Sequence, residues 1–144
     1  SKLFLLLAEI SKNDRQTPLA GAGYINSILP TGDRKLRNVY EYVMNHYLQP
    51  INLTRVAEVA NMNPSAFCRY FRQKTGKTFT VFINNLRTGY AGKLLSDPSM
   101  NIAEICYESG FQSISNFNKQ FKKHYGVSPG EFRENQGKRI SGVI

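Results

Sequence analysis

Apolar residues recur at intervals of three and four along most of this chain, and residues that favour turns separate the resulting stripes. This spacing places one side of each segment against a core and is typical of short amphipathic helices. One stripe begins after Asp33, a helix-capping residue type, and ends before Pro50, which stops a helix. Its members are Leu36, Val39, Tyr40, Val43, Met44 and Tyr47. The pattern predicts an all-α fold of about seven helices.

The strongest pattern is a repeat, because two stretches of the chain carry the same residue types in the same order. Phe67-x-Arg69-x-Phe71-x4-Gly76 recurs as Phe117-x-Lys119-x-Phe121-x4-Gly126, and Leu53-x2-Val56-Ala57 recurs as Ile102-x2-Ile105-Cys106. The offset is 49 residues before the turn and 50 after it, so the second copy has one extra residue between Gly110 and Phe117. Two short helices around a turn, present twice, predict paired helix-turn-helix modules.

The turn residues agree with this interpretation, since Asn61 and Gly110 occupy equivalent places and both residue types tolerate a left-handed backbone. The predicted segments are residues 1–32 (a short amphipathic helix at 2–11, then a linker), a folded domain at 33–138 and a tail at 139–144. Within the domain, the first helix-turn-helix is predicted over 52–76 and the second over 101–126. A helix over 79–96, roughly 25 Å long at ~1.5 Å per residue, would hold them at a set distance.

Basic side chains outnumber acidic ones and give the chain a formal net charge of +9. Residues 31–96 hold 10 basic and 3 acidic side chains (+7), whereas residues 97–144 hold 6 and 5 (+1). We therefore expect the first module to supply most of the attraction to phosphate. A solvated surface explains many such excesses, so the charge indicates a nucleic acid only in combination with the repeated modules.

The second helix of each module separates an aromatic side from a polar, basic side when it is drawn at about 100° per residue. We expect the aromatic side to lie in the core rather than to stack on bases. In a major groove the polar sides would contact base edges. The candidate base contacts are Ser65, Cys68, Arg69, Ser115, Asn116, Asn118 and Lys119. The candidate phosphate contacts, which position the protein without selecting sequence, are Arg72, Lys74, Lys77, Ser113, Lys122 and Lys123.

Residue chemistry suggests individual roles. Arg69 has the bidentate geometry for guanine, and Asn116 or Asn118 has the amide geometry for adenine. Lys119 suits guanine or phosphate, and the two serines suit either base or phosphate. Cys68 would offer mainly apolar contact, for example to a thymine methyl group; a redox-sensitive thiol is its alternative role.

The second copy and its flank form one extended motif. It runs Ile102-Ala-Glu-Ile105-Cys-Tyr-Glu-Ser-Gly110-Phe111-x-Ser113-x-Ser115-x-Phe117-x-Lys119-x-Phe121-Lys122-x3-Gly126-x-Ser128-Pro129-x2-Phe132-Arg133. This motif resembles the C-terminal signature of AraC/XylS-family transcriptional regulators, and the likeness extends over residues 34–135. The resemblance implies two helix-turn-helix modules that insert their recognition helices into successive major grooves of double-stranded DNA.

The resemblance also assigns residues and partners. It places the base-contacting positions at Ser65, Cys68, Arg69, Ser115, Asn116 and Lys119, with Cys68 a departure from the usual polar residue. It implies that residues 1–32 are the end of an N-terminal sensing or dimerisation domain plus a linker. RNA polymerase is then an expected partner of the full-length protein, and a homodimer through the N-terminal region is left open.

Other classes of protein fit the sequence less well. No nucleophile-and-base set, phosphate loop or metal-ligand spacing is present, so we predict no enzyme activity, no cofactor and no metal. His46 and His124 are expected to be surface or cap residues. Cys68 and Cys106 are expected to be reduced thiols in the cytoplasm, and no segment is apolar enough for a membrane. A non-specific nucleic-acid-binding protein is the main alternative, and a pure protein-interaction module would not explain the basic first module.

Overall fold

The computed structural model describes residues 33–142, with side chains as far as residue 137. All regular structure in this range is helical, as the sequence predicts. The helices are α1 (Arg34–His46), α2 (Leu53–Val59), α3 (Pro64–Thr75), α4 (Phe79–Leu94), α5 (Ile102–Glu108), α6 (Ile114–Tyr125) and α7 (Pro129–Gly142). The helix and linker predicted over residues 2–32 lie outside the described residues. The backbone of α7 continues to Gly142, past the boundary predicted at 138, since no proline interrupts it.

Short polar residues start most of these helices by accepting a hydrogen bond from an amide of the first turn. The capping side chains are those of Asp33, Asn52, Asn63, Thr78, Asn101 and Ser113. At α5 the cap is reciprocal, because Glu104 also accepts from the Asn101 amide, which completes the predicted capping box. Gly76 and Gly126 end α3 and α6 in the left-handed conformation. The two recognition helices therefore have matching boundaries.

The turns inside the two helix-turn-helix units also match. Asn61 has a φ of 59° and Gly110 a φ of 95°, so both predicted turn residues are left-handed. Gly110 has a second constraint, because a Cβ at this position would lie 2.9 Å from the carbonyl oxygen of Tyr47 and 2.9 Å from Nε of Arg87. The turn of the second unit therefore packs directly against the end of α1 in the first unit.

The apolar side chains form two cores that share α4. Its first half supplies Phe79, Ile83 and Leu86 to the core of the first unit. Its second half supplies Ala91, and its C-cap supplies Leu95, to the core of the second unit. The helix ends at Leu94 with Leu95 as its cap, slightly earlier than predicted. Because each unit buries part of the same helix, α4 fixes the position of one unit relative to the other.

Two arginines strengthen this arrangement by binding the carbonyl groups that follow a helix. Arg87 of α4 donates to the carbonyl oxygens of Tyr47 (2.7 Å) and Gln49 (2.9 Å), just beyond α1. Arg133 of α7 donates to those of Leu95, Asp97 and Met100, just beyond α4. Each guanidinium donates to carbonyl groups of the loop that follows a helix, which helical hydrogen bonds do not satisfy. These contacts hold the segment that leads into each helix-turn-helix.

Candidate nucleic-acid interface

The first recognition helix, α3, presents one polar face to solvent. Ser65, Cys68, Arg69 and Arg72 are exposed, whereas Phe67 and Phe71 on the opposite side have no exposed area. The buried position of both rings confirms that they serve the core and are not available for stacking on bases. An open depression of about 430 Å³ runs beside Ser65, Cys68 and Arg69, with Leu53 and Pro64 as its apolar wall. The base-contact candidates of this helix therefore share one accessible face.

The second recognition helix, α6, repeats the arrangement. Its base-contact candidates, Ser115, Asn116, Asn118 and Lys119, are all exposed. Phe117 and Phe121 are fully buried on the other side and pack at ring-centroid distances of 5.8 Å from each other. Asn116 accepts a hydrogen bond from Gln120 at 3.3 Å, which orients its amide. The same separation of core and polar faces thus occurs twice.

Both recognition helices are basic and contain no acidic residue. Three Lys or Arg side chains occur on α3, at Arg69, Arg72 and Lys74, and three on α6, at Lys119, Lys122 and Lys123. Lys77 and Lys123 are exposed near the C-terminal ends of the two helices. Ser113 is also exposed, but its oxygen already accepts from the amide of Asn116, so its hydroxyl hydrogen is the group available to a phosphate. The predicted phosphate contacts are therefore exposed on the two recognition helices or next to their ends.

Lys74 differs from the other predicted phosphate contacts. Its ammonium lies 3.7 Å from the Asp33 carboxylate, which also accepts a hydrogen bond from the Tyr70 hydroxyl at 2.5 Å and caps α1. Burial alone would raise the pKa of the Asp33 carboxyl, but the hydrogen bonds from Tyr70 and Leu36 and the charge of Lys74 outweigh it and leave the pKa below its ordinary value. This cluster ties the back of α3 to the residue where the described chain begins.

Several contacts that position the recognition helices were not predicted from the sequence. They are the Asp33–Tyr70 hydrogen bond, the two arginine contacts at helix ends, and a 3.2 Å hydrogen bond between Asn85 of α4 and His124 of α6. His124 was expected at the surface or at a cap, yet it is half-buried against the Tyr125 ring. Each of these contacts joins residues more than thirty positions apart, so no local spacing could indicate them.

The two cysteines are free thiols that lie in different environments. Cys68 is exposed and Cys106 is buried, both as free thiols, and burial raises the pKa of the Cys106 thiol. Within residues 33–142 no group of three or more His, Cys, Asp or Glu side chains is arranged to hold a metal ion. None of the helices in that range has the length and apolar character needed to cross a membrane.

Comparison with known proteins gives a consistent result. The model of a helix-turn-helix domain family matches residues 56–135. The transcriptional regulator MtrA of Neisseria gonorrhoeae is 27% identical over 137 residues, which cover 95% of this chain and 44% of MtrA. The arabinose operon regulatory protein of Escherichia coli is 30% identical over 118 residues, which cover 81% of this chain and 40% of that protein. The chain therefore spans less than half the length of these relatives.

A solved structure shares the fold. The DNA-binding domain of AdpA, a global transcriptional factor determined in complex with a target DNA, aligns with a TM-score of 0.67 and 25% identity. The alignment covers 73% of this chain and 95% of the AdpA domain. The tandem arrangement of two helix-turn-helix units around one long helix is thus found in a protein domain solved on DNA.

Proposed function

The chain belongs to the AraC family of helix-turn-helix transcriptional regulators, whose members bind DNA sequence-specifically, and from this premise we propose that α3 and α6 enter two successive major grooves of one operator. The observation that carries the proposal is the exposure of equivalent polar, acid-free faces on two recognition helices that pack on one shared helix. A rigid pair of such faces suits two short base blocks about one helical turn apart. The likeness to the AdpA domain, which was solved on DNA, supports the same arrangement.

The proposal assigns different roles to the exposed side chains. Arg69 and Lys119, at equivalent places of the repeat, are the principal base anchors. Further base contacts come from Ser65, Cys68, Ser115, Asn116 and Asn118. Phosphate is bound by Arg72, Lys77, Ser113, Lys122 and Lys123. Lys74 also binds phosphate, but the Asp33 carboxylate competes for its ammonium group.

The first test is selection of binding sites from a random duplex library, followed by a salt titration on the selected site and on a scrambled control. We expect an asymmetric motif with two informative blocks about one helical turn apart. A single block would contradict base contact by both helices. Enrichment of no sequence, together with salt-sensitive binding, would favour the alternative of a non-specific nucleic-acid-binding protein.

Two arginines one turn apart on α3 allow a matched test of the assigned roles. Arg69→Ala should cost about 1–3 kcal/mol of binding free energy and relax the preference at one base pair. Arg72→Ala removes the same charge, but it should weaken binding to all DNA sequences alike. It should also lower the slope of log affinity against log salt concentration by about 1. If Arg69→Ala weakened every sequence equally, Arg69 would be a phosphate contact and its assigned role would be wrong.

The role of the longer protein follows from the same proposal. Relatives more than twice the length of this chain have room for a further domain, and a region before Asp33 would supply effector sensing or dimerisation. RNA polymerase is the partner that a transcriptional regulator requires at a promoter, and the bacterial cytoplasm is where it would act. Pull-down and DNA footprinting with the full-length protein test the role of the region before Asp33 and the contact with RNA polymerase.

A further inference from the structure

A groove between the two helix-turn-helix units lies next to both base-contacting faces. It has a volume of about 350 Å³ and is bounded by Leu53 at the start of α2, by one side of α4, and by Gln112 and Asn116 around the start of α6. Leu53 also lines the depression beside Ser65, and Asn116 belongs to the exposed face of α6. The groove is therefore continuous with the surface of both recognition helices.

Apart from Arg87, the polar groups of this groove are neutral hydrogen-bonding side chains. Thr80 and Asn84 stand one turn apart on α4, and Gln112 faces them from the second unit. In the part of the chain that the structure describes, none of these three side chains makes a hydrogen bond to another residue, and no acidic side chain lines the groove. The cationic guanidinium of Arg87 lies at its base, already bound to carbonyl groups. The surface thus combines available donors with a positive background.

A duplex that occupies both recognition faces must pass over this groove. Between two successive major grooves on one side of B-DNA lies a minor groove, bordered by the two sugar-phosphate strands. Hydroxyl and side-chain amide groups are frequent ligands of phosphate oxygens and sugars in protein–DNA complexes. The chemistry and the position of the groove therefore match the DNA backbone between the two base blocks.

We propose that Thr80, Asn84 and Gln112 bind the sugar-phosphate backbone of the DNA segment that joins the two base-contacting blocks. This inference rests on the proposed insertion of both recognition helices into one operator. The contact positions the segment between the blocks and carries no base preference. It adds a third binding region, contributed by α4 and the turn of the second unit, to the two recognition helices.

The test uses the operator selected by the wild-type protein. Thr80→Val keeps the shape of the side chain and removes the hydroxyl, and Gln112→Ala removes the amide. Together they should weaken binding about tenfold, because hydrogen bonds to a charged phosphate are lost. The base preferences at both blocks and the slope of affinity against salt should stay unchanged, since neutral side chains release no counterions. Asn135→Ala, at an exposed site of α7, is the matched control and should bind like wild type.

The site of contact is tested on the DNA itself. Neutral methylphosphonates replace the phosphates between the two blocks, one position at a time. Substitution at one or two positions should weaken DNA binding by the wild-type protein, but it should have little further effect on binding by the Thr80→Val, Gln112→Ala double variant. Hydroxyl-radical protection of the DNA between the blocks should disappear in that variant. Unchanged affinity of the double variant, or equal losses for both proteins at every position, would overturn the inference.

The outcomes also separate this inference from the function on which it rests. If wild type selects a two-block operator while the double variant binds it equally well, only the backbone contact is wrong. If wild type selects one block or none, the proposed insertion of both helices fails and the backbone contact fails with it. A loss confined to one base pair would show that the groove contacts bases, which also contradicts the inference.

Discussion

The two helix-turn-helix units have similar cores but different surroundings. Each core contains a cluster of five aromatic rings in contact, and each recognition helix carries three basic side chains. The helix that precedes the recognition helix differs: on α2 Arg55 pairs with Glu58, whereas α5 has Glu104 and Glu108 and no basic residue. The difference of +7 against +1 in the sequence therefore does not arise on the recognition helices, and total charge is a poor guide to how phosphate contacts are shared.

The units also differ in what holds the recognition helix in place. Tyr70 of α3 donates to Asp33, at the start of the described chain. His124 of α6 instead contacts Asn85 of α4, and the Tyr125 ring packs against Gly92 of the same helix. The first recognition helix is thus tied by a hydrogen bond to the cap of α1, whereas the second is tied to the shared helix.

The largest expected effect comes from removing an equivalent core ring from each unit. Phe67→Ala and Phe117→Ala should each lower the free energy of unfolding by about 3–5 kcal/mol, because both rings are fully buried. Since α4 belongs to both cores, either change should reduce the hydrogen-exchange protection of α3 and α6 together. Ile114→Ala, which truncates a side chain that is 39% exposed, is the control and should have a small effect. Loss of protection in the mutated unit alone would show that the cores are independent.

The two turn positions should differ strongly in their sensitivity to substitution. Gly110→Ala should cost about 3 kcal/mol of folding stability, since it combines left-handed backbone strain with a close approach to Tyr47 and Arg87. Asn61→Gly, at the equivalent turn, should change stability by less than about 1 kcal/mol, because glycine adopts the same conformation without strain. Urea unfolding of the two variants measures the difference. Equal effects would mean that neither the left-handed backbone of Gly110 nor its packing against the first unit restricts this position.

The smallest effect concerns the cluster at Asp33. A carboxyl with a lowered pKa in the folded state stabilises the fold above its ordinary pKa, near 4, and the contribution is lost as the pH falls through the lowered value. Asp33→Asn should therefore cost about 1 kcal/mol at neutral pH and less in acid. Urea unfolding between pH 2.5 and 7, compared in the two proteins, measures this, and Tyr70→Phe removes one partner of the same carboxylate as a check. Parallel pH profiles of wild type and Asp33→Asn would contradict the assigned role.

Much of the fold was predictable because its signals are local. Caps such as Asn63 followed by Pro64, and left-handed turns at Asn61 and Gly110, depend on neighbouring residues and on the repeat. The exposed polar faces follow from helical spacing once the aromatic side is assigned to the core. These features are sufficient to identify the two recognition helices, while their contacts to DNA stay a prediction.

The remaining contacts depend on the packing of distant segments. Arg87 has no neighbour in sequence that reveals its bond to Tyr47, and Lys74 resembles any surface lysine until Asp33 is placed beside it. Tyr70 of α3 is half-buried, and only the packing of α1 beside it brings its hydroxyl within reach of Asp33. Such long-range polar pairs require the tertiary structure, since helical periodicity specifies which side of a helix is buried but not which residue it meets.

The sharing of α4 between two cores has an evolutionary consequence. A gene exchange that replaced one helix-turn-helix unit by that of a relative would join halves of two different α4 helices. The side chains of α4 change from one core to the other between Leu86 and Ala91. Because Tyr90 still packs against the first core, only a crossover between Tyr90 and Ala91 would leave both cores with their own half of the helix. An exchange of one unit alone would therefore disturb the core of the other unit, unless the crossover fell at this point of α4.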